Sequence, residues 1–266
     1  MFMKQELWMV YRLVREFGVD PIKQISTLKG LTWYFQDLSE LKRQQQASKA
    51  HFALCGYYPF LKEKFSEGGT AKDHYFHQDL LVARRIFKNN PKTHVDIGSR
   101  IDGFVAHVAA FREIIVFDIR PLESNIPNVK FKCADLMTDP KEELVDFCDS
   151  LSCLHALEHF GLGRYGDPIN YDGYLCGLEN IYRILKKGGK FYLSVPIGPQ
   201  RLEFNGQRVF SLSYLLSLLQ DHYQIDHFSL VDDKGDLDEN VELTPDKIES
   251  NFDCRYGLGI FEMTKI

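Results

Sequence analysis

Asp96-Ile97-Gly98-Ser99-Arg100-Ile101-Asp102-Gly103 is the stretch whose reading decides the fold. It begins at the end of Thr93–Ile97, which reads as a strand, and leads into Asp102–Ala110, which reads as a helix. A strand that ends in an acid and turns through glycine into a helix lets the backbone approach a ligand closely, since glycine puts no side chain in the way. Two glycines in a turn are weak evidence alone, because any tight strand-to-helix connection favours glycine. The neighbouring strand ends must decide.

Working outward, Glu113–Asp118 reads as the next strand and ends in Asp118, placed to accept hydrogen bonds from ribose hydroxyls. Lys130–Cys133 is a short third strand, followed by Ala134-Asp135-Leu136, where an aspartate can accept a hydrogen bond from an adenine amino group. Each of these acids can instead cap a following helix. Phe147–Cys153 reads as a fourth strand, Tyr174–Leu185 as a helix stopped by Gly188-Gly189, and Lys190–Val195 as a fifth strand. A helix near Ser211–Leu219, a strand near Tyr223–Val231, an acidic loop Asp232–Asn240 and a strand near Leu258–Thr264 complete the pattern. Short strands alternating with helices imply a parallel sheet with crossover helices from residue 92 onward.

Upstream, residues 3–46 carry helical periodicity, with Leu7, Val10, Tyr11 and Val14 on one stripe and an interruption at Gly18-Val19-Asp20-Pro21. Asp73–Lys88 reads as a helix with Leu80, Leu81, Ala83, Ile86 and Phe87 inward. The expected division is a helical appendage over residues 1–91 and an α/β domain over 92–266. His74-Tyr75-Phe76-His77-Gln78-Asp79, at the approach to the first strand, is a candidate lid, although such an aromatic cluster is more often core.

With 266 residues, 44% of them hydrophobic, the chain can bury a sizeable core. A net charge of -5 gives no electrostatic footprint for a polyanion, so nucleic acid is not an expected partner. No apolar run reaches the roughly 18 residues that span a bilayer, and the first residues lack a signal-peptide pattern, so a soluble, cytoplasmic protein without a membrane partner is expected. The six cysteines contain no C-x-x-C pair and read as reduced core residues.

Three successive acidic strand ends, then Leu157-Glu158-His159 after a fourth strand and Lys186-Lys187-Gly188-Gly189 before a fifth, resemble class I S-adenosylmethionine-dependent methyltransferases. The resemblance covers about residues 92–264 and looks like a little-characterised branch with no assigned substrate. It implies a Rossmann-like three-layer α/β sandwich with a seven-stranded, mostly parallel sheet in the order 3-2-1-4-5-7-6, the last strand antiparallel. It also implies S-adenosylmethionine as cofactor. Asp96, Gly98, Ser99, Arg100 and Gly103 would surround its methionine moiety, Asp118 with Ile119 its ribose, and Asp135 with Leu136 its adenine. One departure stands out: Arg100 takes the place of the family's second loop glycine, with an extra residue before Gly103. Arg100 either forks onto the methionine carboxylate or projects into solvent.

Methyl transfer is an in-line displacement, so positioning supplies much of the rate and a base helps only where the acceptor must lose a proton. His155, Glu158 and His159, after the fourth strand, are the candidate catalytic residues, with structural hydrogen bonding as the alternative. Their spacing departs from H-E-x-x-H and only Asp167 offers a further ligand, so no metal is expected. Arg164 and Tyr165, in the glycine-rich stretch Gly161–Pro168, are candidate acceptor contacts, and Ser194–Gly198 a candidate acceptor wall. The expected activity is methyl transfer to a small polar acceptor, a sugar or saccharide hydroxyl being the favoured class. A catalytically silent binding module and an NAD(P)-dependent dehydrogenase remain alternatives. The dehydrogenase is disfavoured because a pyrophosphate loop needs G-x-G-x-x-G, and because Asp96 would repel phosphate while suiting a cationic amine.

Overall fold

The computed structural model describes residues 2–49, 52–66 and 68–266. Contacts divide the chain into two compact units, residues 1–70 and residues 71–266. In the first, helix α1 spans Phe2–Glu16 and α2 spans Pro21–Ala47. The break falls at Gly18, whose positive φ of 81° ends the first helix, and proline then opens the second. Of the expected stripe, Tyr11 and Val14 are half-buried and Val10 is exposed, while the Leu7 side chain lies outside the described residues. Gly30 lets the Leu61 backbone run against α2, where any side chain would collide.

The second unit opens with α3, His74–Asn89, and then alternates strand and helix. Strands β1 (His94–Ile97), β2 (Ile114–Asp118), β3 (Val129–Cys133), β4 (Cys148–Leu154) and β5 (Leu185–Ile197) pair in parallel. A helical segment over Ile101–Val105 runs into α4, Ala106–Ala109, and α5 covers Gly173–Ile184. Beyond β5 come a hairpin of β6 (Arg201–Glu203) and β7 (Gln207–Val209), α6 (Leu212–Leu219), β8 (Tyr223–Val231), β9 (Leu237–Asp238), α7 (Pro245–Ser250) and β10 (Gly257–Lys265). The main sheet runs β3-β2-β1-β4-β5-β10-β8-β9. β10 is antiparallel to both β5 and β8.

Side-chain alternation along the strands splits the core into two layers. On one face Phe191, Leu193, Phe261 and Met263 pack with Ile181 and Ile184 of α5 and Leu215 and Leu219 of α6. On the other, Tyr192, Leu258 and Ile260 pack with Leu81, Val82 and Ile86 of α3 and Val105 and Val108 of the α4 segment. Helices therefore cover both faces, as a parallel sheet requires for its burial. The result is the three-layer α/β sandwich.

Several details depart from the sequence reading. The sheet has eight strands rather than seven, because Leu237–Asp238, inside the expected acidic loop, pairs with the edge of β8. α3 belongs to the sheet-bearing unit, because its buried side chains pack into the core on one face of the sheet. Leu80 and Phe87 are exposed while Val82, on the other side of α3, is buried. The pair Gly188-Gly189 does not stop a helix. α5 ends at Ile184, and the glycines sit in β5 where its register against β4 shifts between Cys148 and Ser150. Cys55 and Cys133 are exposed rather than core, and all six cysteines are free. No helix among the described residues is long and apolar enough to cross a membrane.

Candidate functional site

The strand order reverses between β1 and β4, so the loops leaving these strands diverge and open a crevice over the carboxyl ends of the sheet. The crevice holds about 900 Å³ of empty space, its open mouth included. Its rim is built from the turns after four strands: Gly98–Arg100, Asp118–Arg120, Asp135–Met137, and His155, Ala156 and His159. Tyr75, Gln78 and Asp79 of α3 line it from one face, and Tyr165 and Asp167 from the glycine-rich loop.

Of the first loop, Gly98, Ser99 and Arg100 line the crevice, while Asp96 and Gly103 do not. Asp96 is fully buried and does not reach the crevice. Its Oδ1 accepts from the Ser152 hydroxyl at 2.6 Å and the Ser99 hydroxyl at 2.8 Å, and its Oδ2 accepts from the Ser99 backbone N–H at 3.1 Å. Burial pushes its carboxyl up to about 6, against those three bonds. Asp96 thus ties the loop to β4. Gly98 has φ of 70°, in the left-handed region, and an added Cβ would sit 3.0 Å from the Ala156 Cβ, so glycine is required twice over. Gly103 is not part of the lining. A Cβ there would come within 2.7 Å of Asp79 Oδ2, so the glycine makes room for a carboxylate of α3. The Arg100 guanidinium forks onto Asp102 at 3.0 and 2.8 Å, with both side chains largely exposed, and lies 5.7 Å from the centre of the Tyr75 ring on the crevice wall.

Asp118 and Asp135 do reach the crevice. Asp118 is gripped by Arg120, whose backbone N–H and Nε donate to Oδ1 at 2.8 and 3.1 Å and whose Nη2 donates to Oδ2 at 2.8 Å. The same guanidinium lies 4.4 Å from the centre of the Tyr165 ring. Asp135 spends Oδ1 on the Met137 N–H at 2.9 Å, a local turn that aims the side chain along the rim. Ile119 and Leu136 flank the two acids and supply apolar walls together with Phe117.

The three candidates after β4 divide by hydrogen bonding. His155, held at φ of 51°, places Nδ1 2.6 Å from Glu158 Oε1 and Nε2 3.1 Å from His74 Nδ1, so both ring nitrogens are committed. Its ring lies near-parallel to those of His74 and Tyr75, with centres 5.2 and 4.9 Å away. Burial, with His155 beside it, lowers the His74 pKa to about 4, which keeps that ring neutral. Glu158 is fully buried, and its Oε2 has no partner among the described residues. Burial alone would raise its pKa, but His155 and His159 together outweigh that and hold it low. His159 Nδ1 faces the Gly206 carbonyl at 2.7 Å and must donate to it. That leaves Nε2 as the basic nitrogen, 3.7 Å from Glu158 Oε1. Burial lowers the His159 pKa, so the ring is neutral and able to take a proton. Arg208 anchors the whole turn by donating to the carbonyls of Glu158, Phe160 and Tyr171.

Arg120 is a crevice residue that sequence reasoning passed over, and Asp79 reads from the sequence only as part of the candidate lid. Asp79 was legible in principle: it stands three, four and seven positions before Val82, Ala83 and Ile86, all buried, so helical spacing places an acid on an apolar stripe. Among the described residues no group of three histidine, cysteine or acidic side chains is arranged to hold a metal.

A parallel β3-β2-β1-β4-β5 half joined to an antiparallel β10-β8 pair, with a crevice over the strand ends, defines the class I methyltransferase-like fold. Residues 129–256 match the model of a family described as Caenorhabditis protein of unknown function, DUF268. No curated protein matches the chain. Among solved structures, the 4+2 cyclase SpnF is similar at a TM-score of 0.51 and 15% identity, over 71% of this chain and 80% of that one. A 1,6-didemethyltoxoflavin-N1-methyltransferase from Burkholderia thailandensis, solved with its substrate and S-adenosylhomocysteine, gives 0.49 and 15% over 71% and 79%. The N-methyltransferase NodS from Bradyrhizobium japonicum, bound to S-adenosylhomocysteine, gives 0.47 and 10% over 87% and 98%. At such identities the likeness concerns the fold.

Proposed function

We propose that this chain binds S-adenosylmethionine in the crevice and transfers its methyl group to a hydroxyl of a small polar acceptor, a sugar being the leading class. The observation that carries the reading is the placement of Asp118 and Asp135 at the ends of neighbouring parallel strands, on one rim with the Gly98 turn. The residues present fit the cofactor. Asp118 offers acceptors for two ribose hydroxyls, Asp135 for an exocyclic amine, and Phe117, Ile119 and Leu136 a flat apolar slot between them. The first loop lacks the G-x-G-x-x-G needed for a pyrophosphate, which favours this cofactor over a dinucleotide.

The bound cofactor supplies an electrophilic methyl group on a sulfonium. The chain's task is to aim an acceptor at it and to receive the acceptor's proton. His159 Nε2 is the group for that proton, and Glu158 stabilises the imidazolium that results. His155 serves as a positioning residue that holds Glu158 in place. Replacing His159 with Gln should lower turnover about 100-fold, in line with the loss of a general base, while S-adenosylhomocysteine still binds.

Titration calorimetry with S-adenosylhomocysteine tests the reading: wild type should bind, and Asp118→Ala should not. Absence of heat with the wild-type protein would sink it. The grip of Arg120 on Asp118 favours a second reading, a binding module without turnover. Release of S-adenosylhomocysteine from S-adenosylmethionine in a mixed sugar and small-alcohol pool would exclude that one.

A further inference from the structure

We infer that Asp79 of α3, rather than the acid at the end of β1, receives the ammonium group at the amino-acid end of the cofactor. The inference rests on the proposed cofactor and adds the residue that selects its charged end. Asp96, the acid expected there, has both carboxylate oxygens committed to Ser99 and Ser152 and lies outside the crevice. Asp79 lines the crevice together with the Gly98–Arg100 turn and is only 6% exposed.

Its carboxylate is held in place without being neutralised. The Ser194 hydroxyl donates to Gln78 Oε1 at 2.5 Å, which turns the amide so that Nε2 donates to Asp79 Oδ1 at 3.0 Å. Oδ2 rests against Gly103, and no hydrogen bond to it occurs among the described residues. Nor does any Lys, Arg or His among them form an ion pair with Asp79. A buried carboxylate with one neutral donor is an electrostatic site for a cation, because attraction is strong where water is excluded. Burial holds its carboxyl up at about 6, against the Gln78 hydrogen bond and the more distant His107, His155 and Arg100. A primary ammonium fits better than a guanidinium: three short donors can satisfy Oδ2 with Oδ1 still bonded to Gln78.

The test is calorimetry on the full chain with two ligands, S-adenosylhomocysteine and methylthioadenosine, which keeps the nucleoside and lacks the amino-acid end. Asp79→Asn preserves shape and removes the charge. S-adenosylhomocysteine should weaken about 10- to 100-fold, the range for a lost charge-assisted hydrogen bond, while methylthioadenosine changes less than about twofold. Retained methylthioadenosine binding also reports that the variant has folded. Unchanged S-adenosylhomocysteine binding, or an equal loss for both ligands, overturns the assignment to Asp79 and leaves the cofactor reading standing. Failure of wild type to bind either ligand overturns both.

Discussion

Replacing Arg120 with alanine should tighten the binding of S-adenosylhomocysteine, because Arg120 holds the acceptors that a ribose needs. A carboxylate offers about four acceptor positions. Arg120 fills three on Asp118, one from its backbone and two from its guanidinium. A ribose diol asks for two, so at least one guanidinium bond must be given up on binding. Arg120 is half-exposed, with 49% of its side chain accessible against 12% for Asp118, so the pair is screened and worth about 0.2–1 kcal/mol. Leaving the face of Tyr165 adds about 0.5–1 kcal/mol. The sum, about 0.7–2 kcal/mol, corresponds to a gain of about 3- to 30-fold in affinity for the alanine variant. Calorimetry at low salt measures it directly. The gain should shrink as salt rises, since salt already weakens the contact in the wild type. Equal or weaker binding by Arg120→Ala would refute the competition and make Arg120 a contributor to the ligand site.

Two further outcomes follow from the buried geometry. Gly161→Ala combines a φ of 77° with a collision against the Asn170 carbonyl, and should lower stability by more than about 1 kcal/mol in a denaturant titration. Gly166→Ala, at a φ of 86° with open space around it, should lose less. Asp96 holds a proton up to about pH 6 when folded and loses it near pH 4 when unfolded, so folding takes up a proton in that window. As pH rises from 4 to 6 the wild type should therefore lose stability relative to Asp96→Asn, by on the order of 1–3 kcal/mol. The comparison with the variant isolates Asp96 from His74 and His94, whose lowered pKa values act in the opposite direction. A gap between the two proteins that stays flat across this window would remove Asp96 from the account.

The alternating part of the chain was readable because each strand there is a short apolar run ended by an acid or a turn, and β8 falls on the span expected for it, Tyr223–Val231. What escaped depends on partners distant in sequence. Asp96 reads as a ligand-facing acid until Ser152, on a different strand, is seen to cap it. The hairpin of β6 and β7 and the two-residue β9 are too short for any period to show. α3 reads as part of a helical appendage because its face carries both apolar and charged residues. The sheet beneath it is what buries Gln78 and Asp79. Arg100 shows the reverse limit: its partner Asp102 stands only two residues away, yet no spacing rule marks the pair.

The position of β10 has a consequence for how the molecule is assembled during synthesis. β10 lies between β5 and β8 and pairs with eight residues of each, yet it follows β8 and β9 in the chain. Domains form from the N-terminal side as the chain emerges. β5 therefore waits with an open edge bearing Phe191, Leu193 and Val195 while α6, β8, β9 and α7 are made, and β8 has no neighbour through which to join the sheet. Any pause in translation before residue 257 leaves a half-sheet with a sticky margin. The nascent protein should depend on chaperones during that interval more than its finished form suggests.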